Sequence, residues 1–317
     1  MSKYLVTGGC GFIGSHLVNL LLAGGHTVRV LDDLSTGRRE TISSGVELVV
    51  ADVADRAALD TAMRDVDGCF HLAAIASVEQ CTRDWAGSHR VNLTGTIAVF
   101  EAAAVRRIPV VYTSSAAVFG SASERPLRET TPATPISAYG ADKLGCELHA
   151  RVAGLVYDLP TAGIRPFNVY GPGQDPRSPY SGVISLFCGL VSEGKTLTIN
   201  GDGQQVRDFI YVDDVARVFA AAMGGVSTDA RIYCACTGHP TSVLELAKLI
   251  SELSGVAPKI AFAEARRGDV RNSVGDPARA RSELGFSASV DLRSGLRRTL
   301  EWMASERGAP VMAAARR

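Results

Sequence analysis

A chain of 317 residues with 46% hydrophobic and 21% charged residues has ordinary globular composition and can bury a large core, in one sizeable domain or two closely joined ones. Its 33 Lys and Arg match its 33 Asp and Glu, so nothing global draws it to nucleic acid or an anionic membrane, and any phosphate binding has to be local. Met1 leads directly into Tyr4-Leu5-Val6 without a leader-like segment, and no stretch approaches the ~20 apolar residues of a membrane span, which predicts a cytoplasmic protein.

In chain order, residues 3–7 read as a strand, 13–23 as a helix and 27–31 as a second strand. Residues 47–51 and 68–73 read as further strands, with a helix at 56–64 between them. A long helix at 85–105, a strand at 109–113, a helix at 137–157 and a strand at 161–165 complete the alternation. This pattern predicts an α/β fold with a doubly wound parallel sheet covered on both faces. After Pro166 the texture changes to Gly- and Pro-rich loops at 170–179 and 200–204 among shorter elements. That predicts a smaller C-terminal α/β lobe whose loops bind something. The chain thus divides into 1–168, rejoined by part of 205–240, a lobe at 169–306, and a small, basic tail at 307–317 that frays. The seven cysteines are odd in number, Cys234-x-Cys236 is not a CxxC pair, and the six histidines lack ligand spacing. Reduced thiols and no metal are expected.

The first strand runs into Thr7-Gly8-Gly9-Cys10-Gly11-Phe12-Ile13-Gly14, which opens the first helix. Glycines there let the backbone turn sharply and approach a pyrophosphate seated on the helix N-terminal amides. The motif reads as GxGxxG through Gly9, Gly11 and Gly14, or as GxxGxxG through Gly8, Gly11 and Gly14. On its own such a triple is weak. Its place between strand and helix, with Asp32 closing the second strand, makes it a Rossmann fingerprint, because that carboxylate can accept from both ribose hydroxyls of an adenosine. The paired Asp32-Asp33 would repel a 2′-phosphate, so NAD is favoured over NADP; Arg38 and Arg39 argue the other way unless they only open a solvated helix. Asp52-Val53, after the third strand, is placed to meet adenine, and a plain helix cap is the other reading.

Tyr139 and Lys143 are four residues apart in a helical segment and share a face. With eight tyrosines and five lysines in the chain, chance placement gives that spacing only about 0.13 times. Thr113-Ser114-Ser115 precedes them. A phenol has a reference pKa near 10 and is a poor base at neutral pH, but a nearby ammonium and an oxidised nicotinamide would both favour phenolate. Lowering it by ~3 units corresponds to ~4 kcal/mol, within reach of two cations in a partly desolvated site. Ser115 would bond the reacting substrate hydroxyl and help pass its proton.

The stretches TGGCGFIGSHL, LDDLSTG, HLAAIASV, VNLTGT, TSSAAVFG, SAYGADK, RPFNVYGP, GDGQQVRDFIYVDDV and RRGDVRNSVGD together carry a resemblance. From Tyr4 to about Trp302 the chain resembles the extended short-chain dehydrogenase/reductase family, and within it the UDP-sugar 4-epimerases. The resemblance implies that Ser115, Tyr139 and Lys143 are catalytic. It implies that Gly8, Gly11, Phe12, Ile13, Gly14, Asp32, Asp33, Ser35, Thr36, Gly37, Asp52 and Val53 hold the adenosine and diphosphate of NAD. Leu72, Ala73, Ala74, Ala76, Asn92 and Pro166, with Tyr139 and Lys143, would line the rest of the cofactor. Asn168, Val183, Thr198, Arg207, Arg266, Asp269 and Ser273, with Ser115, would hold a UDP-sugar, arginine suiting diphosphate through its planar fork. Two positions depart from the pattern: Ala76 stands where some relatives have lysine beside the nicotinamide ribose, and Pro166 where a tyrosine often precedes Phe-Asn.

The implied reaction is inversion at C4: phenolate Tyr139 takes the C4 hydroxyl proton while hydride moves to the nicotinamide. The 4-keto sugar then turns about the diphosphate linkage, and hydride returns to its other face. Related dehydratases carry Asp-Glu just after the catalytic Ser or Thr, and related decarboxylases keep a Glu. Here Ala116 and Ala117 fill those positions, which disfavours both. A non-catalytic NAD sensor is disfavoured because the Tyr and Lys are present. Relatives that accept only UDP-glucose and UDP-galactose tend to place tyrosine where this chain has Ser273, so a small wall beside the sugar's C2 substituent predicts room for N-acetylated sugars. Relatives also dimerise through a four-helix bundle, implying a homodimer through the 85–105 and 137–157 segments.

Overall fold

The computed structural model describes residues 1–176, 182–265 and 268–306. Its elements run β1 (Lys3–Thr7), α1 (Phe12–Ala23), β2 (Thr27–Asp32), β3 (Glu47–Val50), α2 (Arg56–Ala62), β4 (Gly68–His71), α3 (Val78–Arg83), α4 (Trp85–His89), α5 (Gly95–Ala104), β5 (Val110–Thr113), α6 (Ala138–Tyr157) and β6 (Thr161–Pro166). They continue as β7 (Asn168–Tyr170), α7 (Val183–Ser192), β8 (Leu197–Asn200), β9 (Val206–Tyr211), α8 (Val212–Met223), β10 (Arg231–Ala235), β11 (Pro240–Ser242), α9 (Val243–Leu253), β12 (Ile260–Ala263), β13 (Asn272–Ser273), α10 (Ala278–Leu284) and α11 (Leu292–Glu306).

The predicted parallel sheet is present, with seven strands in the order β10-β6-β5-β4-β1-β2-β3. Its central strands are short, nearly unbroken apolar runs because both faces are covered. Side chains alternate between the faces: Val6, Val30, Phe70 and Ile164 meet Leu17 of α1 and Phe219 of α8, while Leu5, Leu31, Val110 and Tyr112 meet Leu59 of α2, Phe100 of α5 and Ala150 of α6. The strand order reverses between β1 and β4, and the crevice beyond their carboxyl ends is where such folds take ligands.

The C-terminal lobe is built on β9, which pairs with β7, β11 and β13, and on a parallel β8–β12 pair. Helices α7, α9 and α11 pack over them around Phe187, Phe209, Leu246 and Leu296. Helix α9 starts with a reciprocal Ser242–Glu245 capping box.

Two local differences from the sequence reading matter. The helix expected at 85–105 is continuous in direction, but its middle, Arg90–Thr94, widens into a π turn between α4 and α5. A short helix, α3, precedes it and was not expected. Among the described residues no helix is long and apolar enough to cross a membrane. The tail at 307–317 lies outside the described residues.

Candidate active site

Gly8, just past β1, has φ +68°, and a Cβ there would stand 2.6 Å from the Ala73 nitrogen across the β1–β4 switch. Gly14, in the first turn of α1, faces the Gly8 carbonyl so closely that a Cβ would lie 2.1 Å from it. The Gly11 amide donates to that carbonyl at 3.2 Å. Gly9 instead packs on the Val30 side chain. Thus Gly8, Gly11 and Gly14 close the turn, the GxxGxxG alternative. Helix α1 begins without a side-chain cap and with no acid in its first turn, leaving its positive end to an anion. This cradle, which any Cβ would fill, fits the diphosphate of a dinucleotide.

Asp32 shapes the same loop: its Oδ2 accepts from the Cys10 amide and its Oδ1 from the Leu34 amide, each at 2.9 Å. Burial raises its carboxyl above the usual range, against the pull of these amides. A carboxylate has about four acceptor directions, so two remain for ribose hydroxyls. Gly37 lies against the Asp32 Oδ1, while exposed Asp33 is folded back on the Ser35 amide and hydroxyl, beside exposed Thr36. Arg39 is spent on the Ile42, Ser43 and Ser44 carbonyls at 3.1–3.2 Å, so it is not poised for a 2′-phosphate. Asp52 accepts from the Ala54 amide at 2.8 Å and pairs with Arg90 at 2.6 Å, whereas Asp55 caps α2. Val53 is buried in the core against Gly95.

Leu72, Ala73, Ala74 and Ala76 follow β4, with Ala76 exposed. Asn92, in the π turn, grips this loop at two points: its Oδ1 accepts from the Ile75 amide at 2.8 Å and its Nδ2 donates to the Ile75 carbonyl at 3.1 Å. Its side-chain amide thus holds the loop that follows β4. Beneath it runs a buried chain that the sequence reading missed. Thr96 donates to the Asn92 carbonyl, so it accepts from His71 Nε2 at 2.9 Å, and Thr7 completes the line on His71 Nδ1 at 2.7 Å. That pattern makes His71 neutral, and burial, helped by Lys143, lowers its pKa to about 3. A lone His inside an apolar strand gave no signal of this.

Ser115 stands in extended backbone after β5 and caps a short 3₁₀ turn, Ala116–Phe119, accepting from the Ala117 amide at 3.1 Å. Ser137 caps α6, and the helix turns Tyr139 and Lys143 inward, 8% and 1% exposed. Lys143 Nζ donates to the Thr113 carbonyl at 2.9 Å and lies 5.9 Å from the centre of the Tyr139 ring. Burial pushes the Tyr139 phenol up to about 12, partly offset by a hydrogen bond from Ser115. The sequence reading expected a lowered phenol in the working enzyme; in the protein alone, burial outweighs the Ser115 bond, and burial also lowers the pKa of the neighbouring ammonium. Pro166 is buried at the end of β6 nearby.

In the second lobe, Arg207 of β9 gives one N–H to the Val206 carbonyl at 2.9 Å and others to the Val270 carbonyl and the Asp269 carboxylate. Two of its five donors remain. Burial lowers its pKa from the ordinary value, opposed by Asp269. Ser273 of β13 is in register with Arg207, so Arg207, Asp269 and Ser273 come together. Asn168 opens β7, in register with Phe209 of β9, two residues beyond Arg207. Val183 opens α7 and Thr198 lies exposed on the β8–β12 pair, so these two stand on other elements. Arg266 lies outside the described residues.

A family model described as the NAD dependent epimerase/dehydratase family matches residues 4–234. The UDP-glucose 4-epimerase of Mycolicibacterium smegmatis is 39% identical over 309 residues, 95% of this chain and 98% of that protein. Among solved structures, UDP-glucose 4-epimerase from Thermotoga maritima, with UDP-glucose, superposes with TM-score 0.93 at 33% identity, covering 96% of this chain and 99% of the other. UDP-N-acetylglucosamine 4-epimerase from Methanobrevibacter ruminantium, in complex with UDP-N-acetylmuramic acid, gives 0.92 at 32% identity with the same coverage.

Proposed function

This chain belongs to the NAD-dependent epimerase/dehydratase family, and we propose that within it the protein is a 4-epimerase of UDP-hexoses. The observation that carries the reading is a Ser115–Tyr139–Lys143 set, with Tyr139 and Lys143 buried and Ser115 half-buried, followed by Ala116 and Ala117. NAD, when bound, would supply reversible hydride transfer at the sugar. Tyr139, once ionised, takes the C4 hydroxyl proton and later returns it, and Ser115 bonds both phenol and sugar hydroxyl. Lys143 holds positive charge beside the phenol. Alanines at 116 and 117 supply no acid or base for loss of water or carbon dioxide, so a dehydratase or decarboxylase is the weaker reading. In this assignment residues 1–168 with β10 hold NAD, and the 169–306 lobe holds the UDP-sugar, with the two spare Arg207 donors on the diphosphate.

Ser273 beside Arg207 supports breadth at the sugar's C2 position, and the N-acetylglucosamine relative fits that breadth. Helix α6 leaves Leu148, Val152, Leu155 and Val156 exposed along one face, with Trp85 at the start of α4, which supports a homodimer through a four-helix bundle. The test is incubation with UDP-glucose, UDP-galactose and their N-acetylated counterparts, without added cofactor, with products read by NMR. Interconversion within both pairs is expected, and Ser273→Tyr should abolish only the N-acetylated pair. A dehydrated keto-deoxy product would overturn the epimerase reading; equal loss on both pairs, or on neither, would show that Ser273 is not the gate.

A further inference from the structure

Below the catalytic residues lies a buried ion pair that the reaction scheme does not use. Arg165 of β6 and Glu147 of α6 are 4% and 9% exposed, and they meet through two hydrogen bonds of 2.7 Å. A buried pair is weak evidence of stability, because desolvating both charges offsets much of their attraction. Its partners suggest what else it does.

Glu147 follows Lys143 by one helical turn and Tyr139 by two, so it shares their inward face. The same Glu147 oxygen that meets Arg165 Nε accepts from the Ser114 hydroxyl, one residue before Ser115. The guanidinium lies 4.7 Å over the ring of Phe119, the last residue of the turn that Ser115 caps. One Arg165 nitrogen also reaches the Glu129 carbonyl, and the Glu129 carboxylate accepts from the Cys234 amide of β10 at 2.7 Å. The pair therefore grips the helix carrying Tyr139 and Lys143, and the chain on both sides of Ser115.

We propose that Glu147 and Arg165 are positioning residues for the reaction, fixing the Ser115 hydroxyl against the Tyr139 phenol by clamping α6 to both flanks of Ser115. The proposal rests on the assignment of Ser115, Tyr139 and Lys143 made above. A loose clamp should leave the nucleotide sites in place while spoiling alignment at the reacting oxygen, where a displacement of about 1 Å can cost ~100-fold in rate.

The experiment uses the NAD-loaded full chain and three variants: Glu147→Gln, Arg165→Lys and the double Glu147→Met/Arg165→Met. Thermal midpoint, bound NAD, kcat and KM for UDP-glucose, and the pH profile of kcat are measured below each variant's own midpoint. The single variants should lose about 10- to 100-fold in kcat, keep KM within about threefold, and retain NAD. The rising limb of their pH profiles should move to higher pH, because the Ser115 bond that favours ionised phenol is loosened. The double variant replaces the charges with apolar bulk, which often restores stability; its midpoint should recover while kcat stays low. Recovery of kcat along with the midpoint would show a merely structural pair. Full kcat in Arg165→Lys would also overturn the proposal, since lysine keeps the charge but not the fork. Wild-type enzyme inactive on all four sugars would sink the functional reading first, and the positioning role with it.

Discussion

Replacing Lys143 by Met removes a buried ammonium 5.9 Å from the centre of the Tyr139 ring. At an effective dielectric of about 20, that separation corresponds to ~3 kcal/mol between unit charges, or ~2 pKa units on the phenol. The cofactor-free phenol already sits at about 12 because it is buried, so any further rise moves it away from the working range. The ionised form of an acid declines as its pKa rises, so at pH 7, below both pKa values, the variant should hold ~100-fold less phenolate than wild type. Its kcat should fall by about that factor. The deficit should stay constant along the limb where log kcat climbs one unit per pH unit, and close only at a pH ~2 units higher than in wild type. The assay is kcat against pH from 6 to 10.5 with UDP-glucose. Circular dichroism and bound NAD would show that losing the Thr113 carbonyl contact has not unfolded α6. A deficit below about tenfold, or one that changes with pH along that limb, would refute the argument, because Lys143 would then act by some route other than its charge on the phenol.

Gly8→Ala forces a side chain into φ +68° and puts a Cβ 2.6 Å from the Ala73 nitrogen, so ~1–2 kcal/mol of strain adds to a backbone clash. The purified variant should carry under about a tenth of the NAD of wild type, measured after acid extraction; full loading would show that the β1–β4 crevice is not where NAD sits. Tyr112→Phe deletes a hydroxyl that is fully buried and has no partner among the described residues. Urea unfolding should show unchanged stability or a gain of ~1–3 kcal/mol, and a loss above about 1 kcal/mol would reveal a partner the geometry does not contain.

Legibility followed the range of the interactions. The glycine turn, Asp32 and the first sheet strands were readable because local periodicity and a few obligatory residues fix them. So was the Tyr139/Lys143 pair, set by helical spacing alone. The π turn at Arg90–Thr94 was not, since an extra residue in one turn leaves an apolar helix pattern looking unbroken. Nor could spacing show that Asn92 spends its amide on Ile75, or that His71 joins Thr7 to Thr96, because those partners meet only once β1, β4 and α5 have assembled. The phenol's upward shift was missed for a related reason: sequence names the neighbouring charge but not the depth of burial that raises the phenol. Arg165 and Glu147, 18 residues apart, gave no hint of a shared fork.

The path of the chain has a consequence for how this protein can change. From β6 the backbone enters the second lobe through β7, α7, β8 and β9, returns to the large sheet with α8 and β10, and leaves again through β11, α9, β12 and β13. It then comes back with α10, whose Ala280 joins the core of the first layer, before α11 closes the lobe. Two lobes stitched together this often cannot be cut out and exchanged as cassettes. The seam behaves as one cooperative unit, so amide exchange in β10 and β9 should rise together under denaturant. New sugar preferences must then arise one side chain at a time, on a frame that stays put.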